Sequence, residues 1–255
     1  ENLPFNDNTF DKIICSEVLE HLNDDNMKVG PVPLELSNHE LEFRLVRGLP
    51  CIDYFQMDLL GGTLLGNMSV SEKEKAFVLV AQCSFSGLNV KKLMPGVIHG
   101  ISNEEAEIGG RITLRLPLST EPKAVLSNLR VKIDLTHIGS KALERFLYSM
   151  DPYESNETIV QQRNLLRMGS PRWIKLTVRY GNLSLSGEVE VKGIRVKLPP
   201  IERFHLANLT LHKYLEEGLT EFAPIVKVLK TMSADTIRIG REDDIRFETS
   251  KRVVE

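Results

Sequence analysis

Five stretches of this chain alternate apolar and polar residues with a period of two, and that pattern limits the fold more than any other feature. Leu41, Phe43 and Leu45 alternate with Glu40, Glu42 and Arg44. Phe77, Leu79, Ala81, Cys83 and Phe85 alternate less cleanly with Val78, Val80, Gln82 and Ser84. Ile112, Leu114, Leu116 and Leu118 alternate with Arg111, Thr113 and Arg115, and Leu129, Val131, Ile133 and Leu135 with Arg130, Lys132, Asp134 and Thr136. Leu183, Leu185, Val189 and Val191 alternate with Ser184, Ser186, Glu188, Glu190 and Lys192. A period of two places alternate side chains on opposite faces of a strand. Strands of this kind belong to an antiparallel sheet with one apolar and one wet face.

The punctuation agrees. Arg47-Gly48, Gly61-Gly62, Tyr180-Gly181-Asn182 and Lys192-Gly193 separate strand-like runs, as hairpin turns with positive φ do. Pro199-Pro200 ends the last long strand, because proline cannot donate to a ladder. Helical spacing interrupts the sheet. Residues 139–150 place Leu143, Phe146, Leu147 and Met150 on one stripe. Asp151-Pro152-Tyr153-Glu154 has the form of a capping box, which predicts a helix from there to about Met168, stopped by Gly169 and Pro171. A third helical stretch is expected over 211–232, kinked at Pro224. The expected fold is α+β: a twisted antiparallel sheet with one apolar face, Gly-turn hairpins and several amphipathic helices. An apolar sheet face is covered by helices, by another sheet or by a ligand. A helix-covered core and an open groove both remain compatible with the pattern.

Composition sets further bounds. With 255 residues and 42% hydrophobic content, the chain is long enough for one large or two small domains with a real core. A net charge of −3 with both signs mixed argues against a nucleic-acid-binding surface, which needs a basic stripe. No apolar run approaches the ~20 residues that span a bilayer. The chain opens without Met and reads as an interior fragment, with any targeting segment or membrane anchor expected outside it. Cys15, Cys51 and Cys83 have neither disulfide nor zinc spacing, and buried strand cysteines are the default.

Chemical signatures are sparse. There is no G-x-S-x-G nucleophile elbow. His205 and His212 lack the spacing and flanking carboxylates of a metal site, so no metal is expected. Asp243-Asp244 and Glu216-Glu217 lie in polar stretches and read as solvated faces. Arg163, Arg167, Arg172, Lys175 and Arg179 concentrate around one helix end and the next strand. They read either as charges complementing a helix dipole or as a contact to anionic lipid headgroups. Trp173 and Tyr180 flank this cluster, as core residues or interface anchors.

The chain changes identity near residue 25. Residues 1–24 carry Leu3-Pro4-Phe5, then Phe10-Asp11, the apolar Ile13-Ile14, and Ser16-Glu17-Val18-Leu19 leading to His21. This run resembles an inner piece of a class I S-adenosylmethionine-dependent methyltransferase. The resemblance implies that Glu1 and Asn2 sit by an adenine and that Ser16 and Glu17 border the cofactor. A cofactor site of that kind needs a Gly-rich turn between a strand and a helix. Gly61-Gly62 and Gly109-Gly110 are the only Gly pairs, and each is followed by a strand-like run. The site is therefore incomplete in this chain, no cofactor is expected, and residues 1–28 read as a methyltransferase-like remnant ahead of a domain over 29–255.

That larger domain has its own resemblance. Leu49 to Gly66 gives a strand, then Gly61-Gly62-Thr63, then a strand with Gly66. Phe85-Ser86-Gly87-Leu88-Asn89-Val90-Lys91-Lys92-Leu93-Met94-Pro95 follows, and Ala106-Glu107-Ile108-Gly109-Gly110-Arg111 opens the next strand. These runs resemble the C-terminal region of AsmA-like envelope proteins, well over about 34–135 and loosely over 173–199, with a helical insert at about 139–170. The resemblance implies a non-enzymatic protein of the Gram-negative envelope, on the periplasmic side of the inner membrane, acting in lipid transport or outer-membrane assembly. It implies phospholipid acyl chains as partner, with Leu41, Phe43, Leu45, Leu114, Leu116, Leu183 and Leu185 as candidate lipid-facing residues. The alternative is a cytoplasmic methyltransferase fragment.

Overall fold

The computed structural model describes residues 13–14, 28–29, 32–33, 36–46, 49–73, 76–94, 97–98, 100–119 and 121–208. Strands β1 (Ile13–Ile14), β2 (Lys28–Val29) and β3 (Val32–Pro33) are two residues each. Eight long strands follow: β4 (Leu36–Val46), β5 (Leu49–Leu59), β6 (Gly62–Lys73), β7 (Ala76–Asn89), β8 (Glu107–Leu118), β9 (Arg130–Ile138), β10 (Ser170–Arg179) and β11 (Asn182–Val191). Each pairs antiparallel with its sequence neighbour, so the chain meanders from β4 to β11 without a crossover. The short strands β12 (Ile194–Lys197) and β13 (Ile201–His205) both pair with β11. Pro199 and Pro200 interrupt this edge rather than end it. Leu198 N–H still donates to Gly187 O, and the chain resumes along Leu185 to Asn182. On the opposite edge, Ile13 and Ile14 pair with Phe43 and Glu42.

The α+β expectation with several amphipathic helices does not hold: the described residues are mostly antiparallel strand. Of five α-helices among the described residues, α1 (Val90–Leu93) and α2 (Asn103–Ala106) are single turns, and α3 (Pro122–Asn128) has seven residues. Only α4 (Ser140–Met150) and α5 (Glu157–Met168) run for three turns. The reason is where helices enter. All five lie in connections between β7 and β8, β8 and β9, or β9 and β10, while every other pair of consecutive long strands is separated by only two residues. The expected helix over 211–232 lies outside the described residues.

Two local expectations shift. The β5–β6 hairpin turns at Leu60-Gly61, one residue earlier than the Gly pair suggests. Both central residues have positive φ, 54° and 86°, the pattern of a two-residue type I′ loop. Gly62 is needed for a different reason: a Cβ there would lie 2.3 Å from the Gly87 carbonyl carbon on β7. Tyr180-Gly181 and Lys192-Gly193 repeat the same positive-φ pair.

The second shift concerns α5. It starts at Glu157 with Asn156 as cap, whose Oδ1 accepts from Ile159 N–H at 3.2 Å. Asp151 does not cap it. Its carboxylate accepts from Ser155 N–H at 3.0 Å, Asn156 N–H at 2.6 Å and the Ser155 hydroxyl at 2.7 Å. The carboxylate thus closes the α4–α5 loop, and the capping box at 151–154 never forms. Burial alone would raise the Asp151 carboxyl, but these donors and the nearby Arg163 charge hold it below the usual range. A depressed folded-state value means that Asp151 stabilises fully above its unfolded value of about 3.9 and stops doing so as pH falls through its folded value. The urea midpoints of wild type and Asp151→Asn should therefore differ at pH 6 and draw together only as pH falls below about 4. A pH-independent gap would contradict this.

The core has three parts. The largest joins Leu143, Leu147 and Met150 of α4 and Ile159 and Leu166 of α5 to Leu135, Ile174, Leu183, Leu185 and Val189 of the sheet. The α4 residues recur at four and three positions apart, so they lie on one stripe. A second cluster packs Val125 and Leu126 of α3 against Phe77, Leu116 and Leu118 at the other strand ends. A third joins Val90, Ile98, Ile101 and Ala106 to Ala142.

Candidate functional site

The strand register carries apolar side chains across the whole sheet on one face. Directly opposed residues on adjacent strands lie side by side on the same face. One file runs Leu41, Phe55, Gly66, Cys83, Ile112, Ile133, Leu176, Leu185 and Ile201. The next runs Phe43, Ile52, Met68, Ala81, Leu114, Val131, Val178, Leu183 and Phe204. Bulges keep the files aligned. Between Ile52 and Phe55 the extra β5 residue is absorbed, so both side chains face the same way.

The two ends of this face are closed and its middle is not. Helices enter only from strand ends, so α3 covers one end and α4 with α5 the other. Between them Ile112, Leu114, Val131, Ile133, Leu176 and Val178 are only half-buried. Ile112, Ile133 and Leu176 pack against the α4–α5 cluster, and Leu114 and Val131 against the α3 cluster. Val178 packs against both. This band is aliphatic, with no charged side chain in either file. From β8 to β10 these six residues span two strand spacings, about 10 Å.

The candidate lipid-facing residues divide. Leu114, Leu41 and Phe43 are half-buried in the two files, and Leu45 on the same β4 face is exposed. Leu116, Leu183 and Leu185 are buried in the closed clusters, Leu185 to 1% exposure. Reading the sequence missed Val131, Ile133, Leu176 and Val178 as partners of Leu114. The signal was present, since Ile174, Leu176 and Val178 alternate with Lys175, Thr177 and Arg179.

The suspected basic concentration disperses on folding. Arg163 is buried, donates to Glu144 Oε1 from Nε at 3.0 Å and to Glu154 Oε1 at 2.9 Å, and lies over the Tyr148 ring at 4.8 Å. Arg167 shares Glu144 at 2.9 Å, and Arg172 is 3.5 Å from Glu190. Lys175 faces Asp134 across the β9–β10 ladder. Only Arg179 stands apart, opposite Arg130.

Reactive chemistry is not assembled among the described residues. Burial, with the Asp53 carboxylate 3.6 Å away, pushes the Cys51 thiol up, and burial alone raises Cys83. Both thiols are thus less ionised than free cysteine and poor nucleophiles. No three metal-ligating side chains come together among the described residues, and His205 ends β13 exposed. Glu1, Asn2, Ser16, Glu17, His21 and His212 lie outside the described residues. No helix among the described residues is long and apolar enough to cross a membrane. No protein-family model matches the chain, and no curated protein or solved structure matches it either.

Proposed function

We propose that this chain is a lipid-carrying segment of an AsmA-like envelope protein, and that phospholipid acyl chains lie along the half-open band between α3 and the α4–α5 pair. The observation that carries the reading is the uninterrupted aliphatic band across β8 to β10 whose middle is only half-buried while its ends are capped. An ordinary core closes over such a face, because burial stabilises by about 25 cal/mol per Å². A face left open at its centre has room for a ligand of the same character. The absence of charges along the files suits tails rather than headgroups.

The energetics suit a carrier. A bilayer interior is about as apolar as leucine, so a tail moving from membrane to band exchanges like for like. Loading and unloading then need no large driving force. Sequence-neighbour pairing of every long strand also lets the sheet be lengthened strand by strand without altering the files. This segment would work on the periplasmic side of the inner membrane, in lipid transport or outer-membrane assembly.

Native mass spectrometry of the purified chain tests the reading. The wild-type protein should carry phospholipid that survives gentle desolvation and is stripped by detergent. A protein that is lipid-free after expression and after incubation with phospholipid vesicles would contradict it.

A further inference from the structure

The opposite face of the sheet holds a charge pattern that neither the composition nor the acyl-chain reading accounts for. Across β8, β9 and β10 the register builds a grid of nine residues on the polar face. Its rows are Arg111, Asp134 and Lys175, then Thr113, Lys132 and Thr177, then Arg115, Arg130 and Arg179. Six cations face one carboxylate, a net charge of +5 in a chain whose total is −3. Asp134 is already engaged by Lys132 at 2.5 Å. Arg115, Arg130 and Arg179 are exposed and have no carboxylate partner among the described residues. The columns on either side, Val80, Gln82 and Ser84 on β7 and Asn182, Ser184 and Ser186 on β11, are uncharged.

Like charges directly opposite one another in a sheet are destabilising. Two such contacts in one row, Arg115 to Arg130 and Arg130 to Arg179, are retained with no carboxylate among the described residues to offset them; Arg130 donates only to the Tyr180 hydroxyl, at 2.8 Å. The grid measures about 10 by 14 Å, so each charge lies within about one Debye length of its nearest neighbours and they attract an anionic surface together. Trp173 on β10 and Tyr180 in the turn after it bracket the grid, 42% and 63% exposed. Trp and Tyr beside basic residues are the anchors of membrane–water interfaces. A nucleic-acid platform would instead present open aromatic rings for stacking. Here the grid itself has no aromatic residue, and the Tyr180 ring is covered by the Arg130 guanidinium at 5.2 Å.

We propose that this grid docks the polar face of the sheet onto an anionic lipid surface, with Trp173 and Tyr180 at the headgroup level. The docking does not depend on whether the opposite face carries lipid. Trp173 is the chain's one tryptophan, so its fluorescence reports the contact directly. Titration with phosphatidylcholine vesicles containing phosphatidylglycerol should shift its emission to the blue and sediment the protein. Pure phosphatidylcholine vesicles should do neither, and high salt should reverse both effects. Each arginine near such a surface contributes about a fivefold change in partitioning, so Arg115→Ser/Arg130→Ser/Arg179→Ser should weaken binding about a hundredfold. Native mass spectrometry should find the same bound lipid in this variant as in wild type, which separates failure of the grid from failure of the band. Equal binding of variant and wild type, binding to neutral vesicles, or capture of single-stranded RNA in place of vesicles would each overturn the proposal.

Discussion

Leu185→Glu should leave the chain without a cooperative unfolding transition, whereas Leu114→Glu should remain folded and lose its bound lipid. The two leucines sit in adjacent files of one face and read identically in sequence. Leu185 is 1% exposed, opposed by Leu176 and Ile201 and packed in the cluster beneath α4 and α5. No cation in that cluster can pair with a new carboxylate. An unpaired charge held there costs several kcal/mol, against a total stability of about 5–15 kcal/mol. Leu114 is half-buried in the open middle of the band, so a glutamate there turns its carboxylate to water. Far-ultraviolet circular dichroism through a thermal ramp separates the two variants. Equal behaviour would mean that the band is closed, or that the core is open.

Arg163→Ala should cost about 3–5 kcal/mol, the usual consequence of removing one partner of a buried ion pair. The guanidinium fastens the α4–α5 hairpin by gripping Glu144 on α4 and Glu154 in the loop and covering the Tyr148 ring. Without it, Glu144 would keep only the exposed Arg167. The loss should appear in the chemical-denaturation midpoint. Glu144→Gln/Arg163→Met, which removes both buried charges and keeps their bulk, should recover much of it. A single variant within about 0.5 kcal/mol of wild type, as for an ordinary surface site, would show that the pair is worth little.

The strands were legible because a one-sided sheet forces alternation. The runs at 41–45, 77–85, 112–118 and 183–191 all fall within long strands. What misled was the weight given to helices. The stripe at 143, 147 and 150 does form α4, but two long helices beside eight long strands make a mainly antiparallel molecule. Local competition decided the finer errors. The Asp151 carboxylate found the Ser155 and Asn156 amides and closed a loop, so the helix start moved to Glu157. Gly62 was required by the approach of β7, so the turn moved to Leu60-Gly61. The basic grid was invisible in principle to a reading of composition. Arg115, Arg130 and Arg179 are far apart in sequence and become neighbours only once the register of three strands is known. The openness of the band was likewise not readable, because it depends on how far the helices reach from the strand ends.

Site-specific photocrosslinking with phosphatidylcholine, which the basic grid should not bind, tests the central claim most directly. A photoreactive residue at Leu114, Ile133 or Leu176 should form phospholipid adducts. The same group at Thr113 or Lys132, one residue away but on the opposite face, should form none with the monomeric lipid. Adducts at all five positions, or at none, would contradict a lipid held along the aliphatic band.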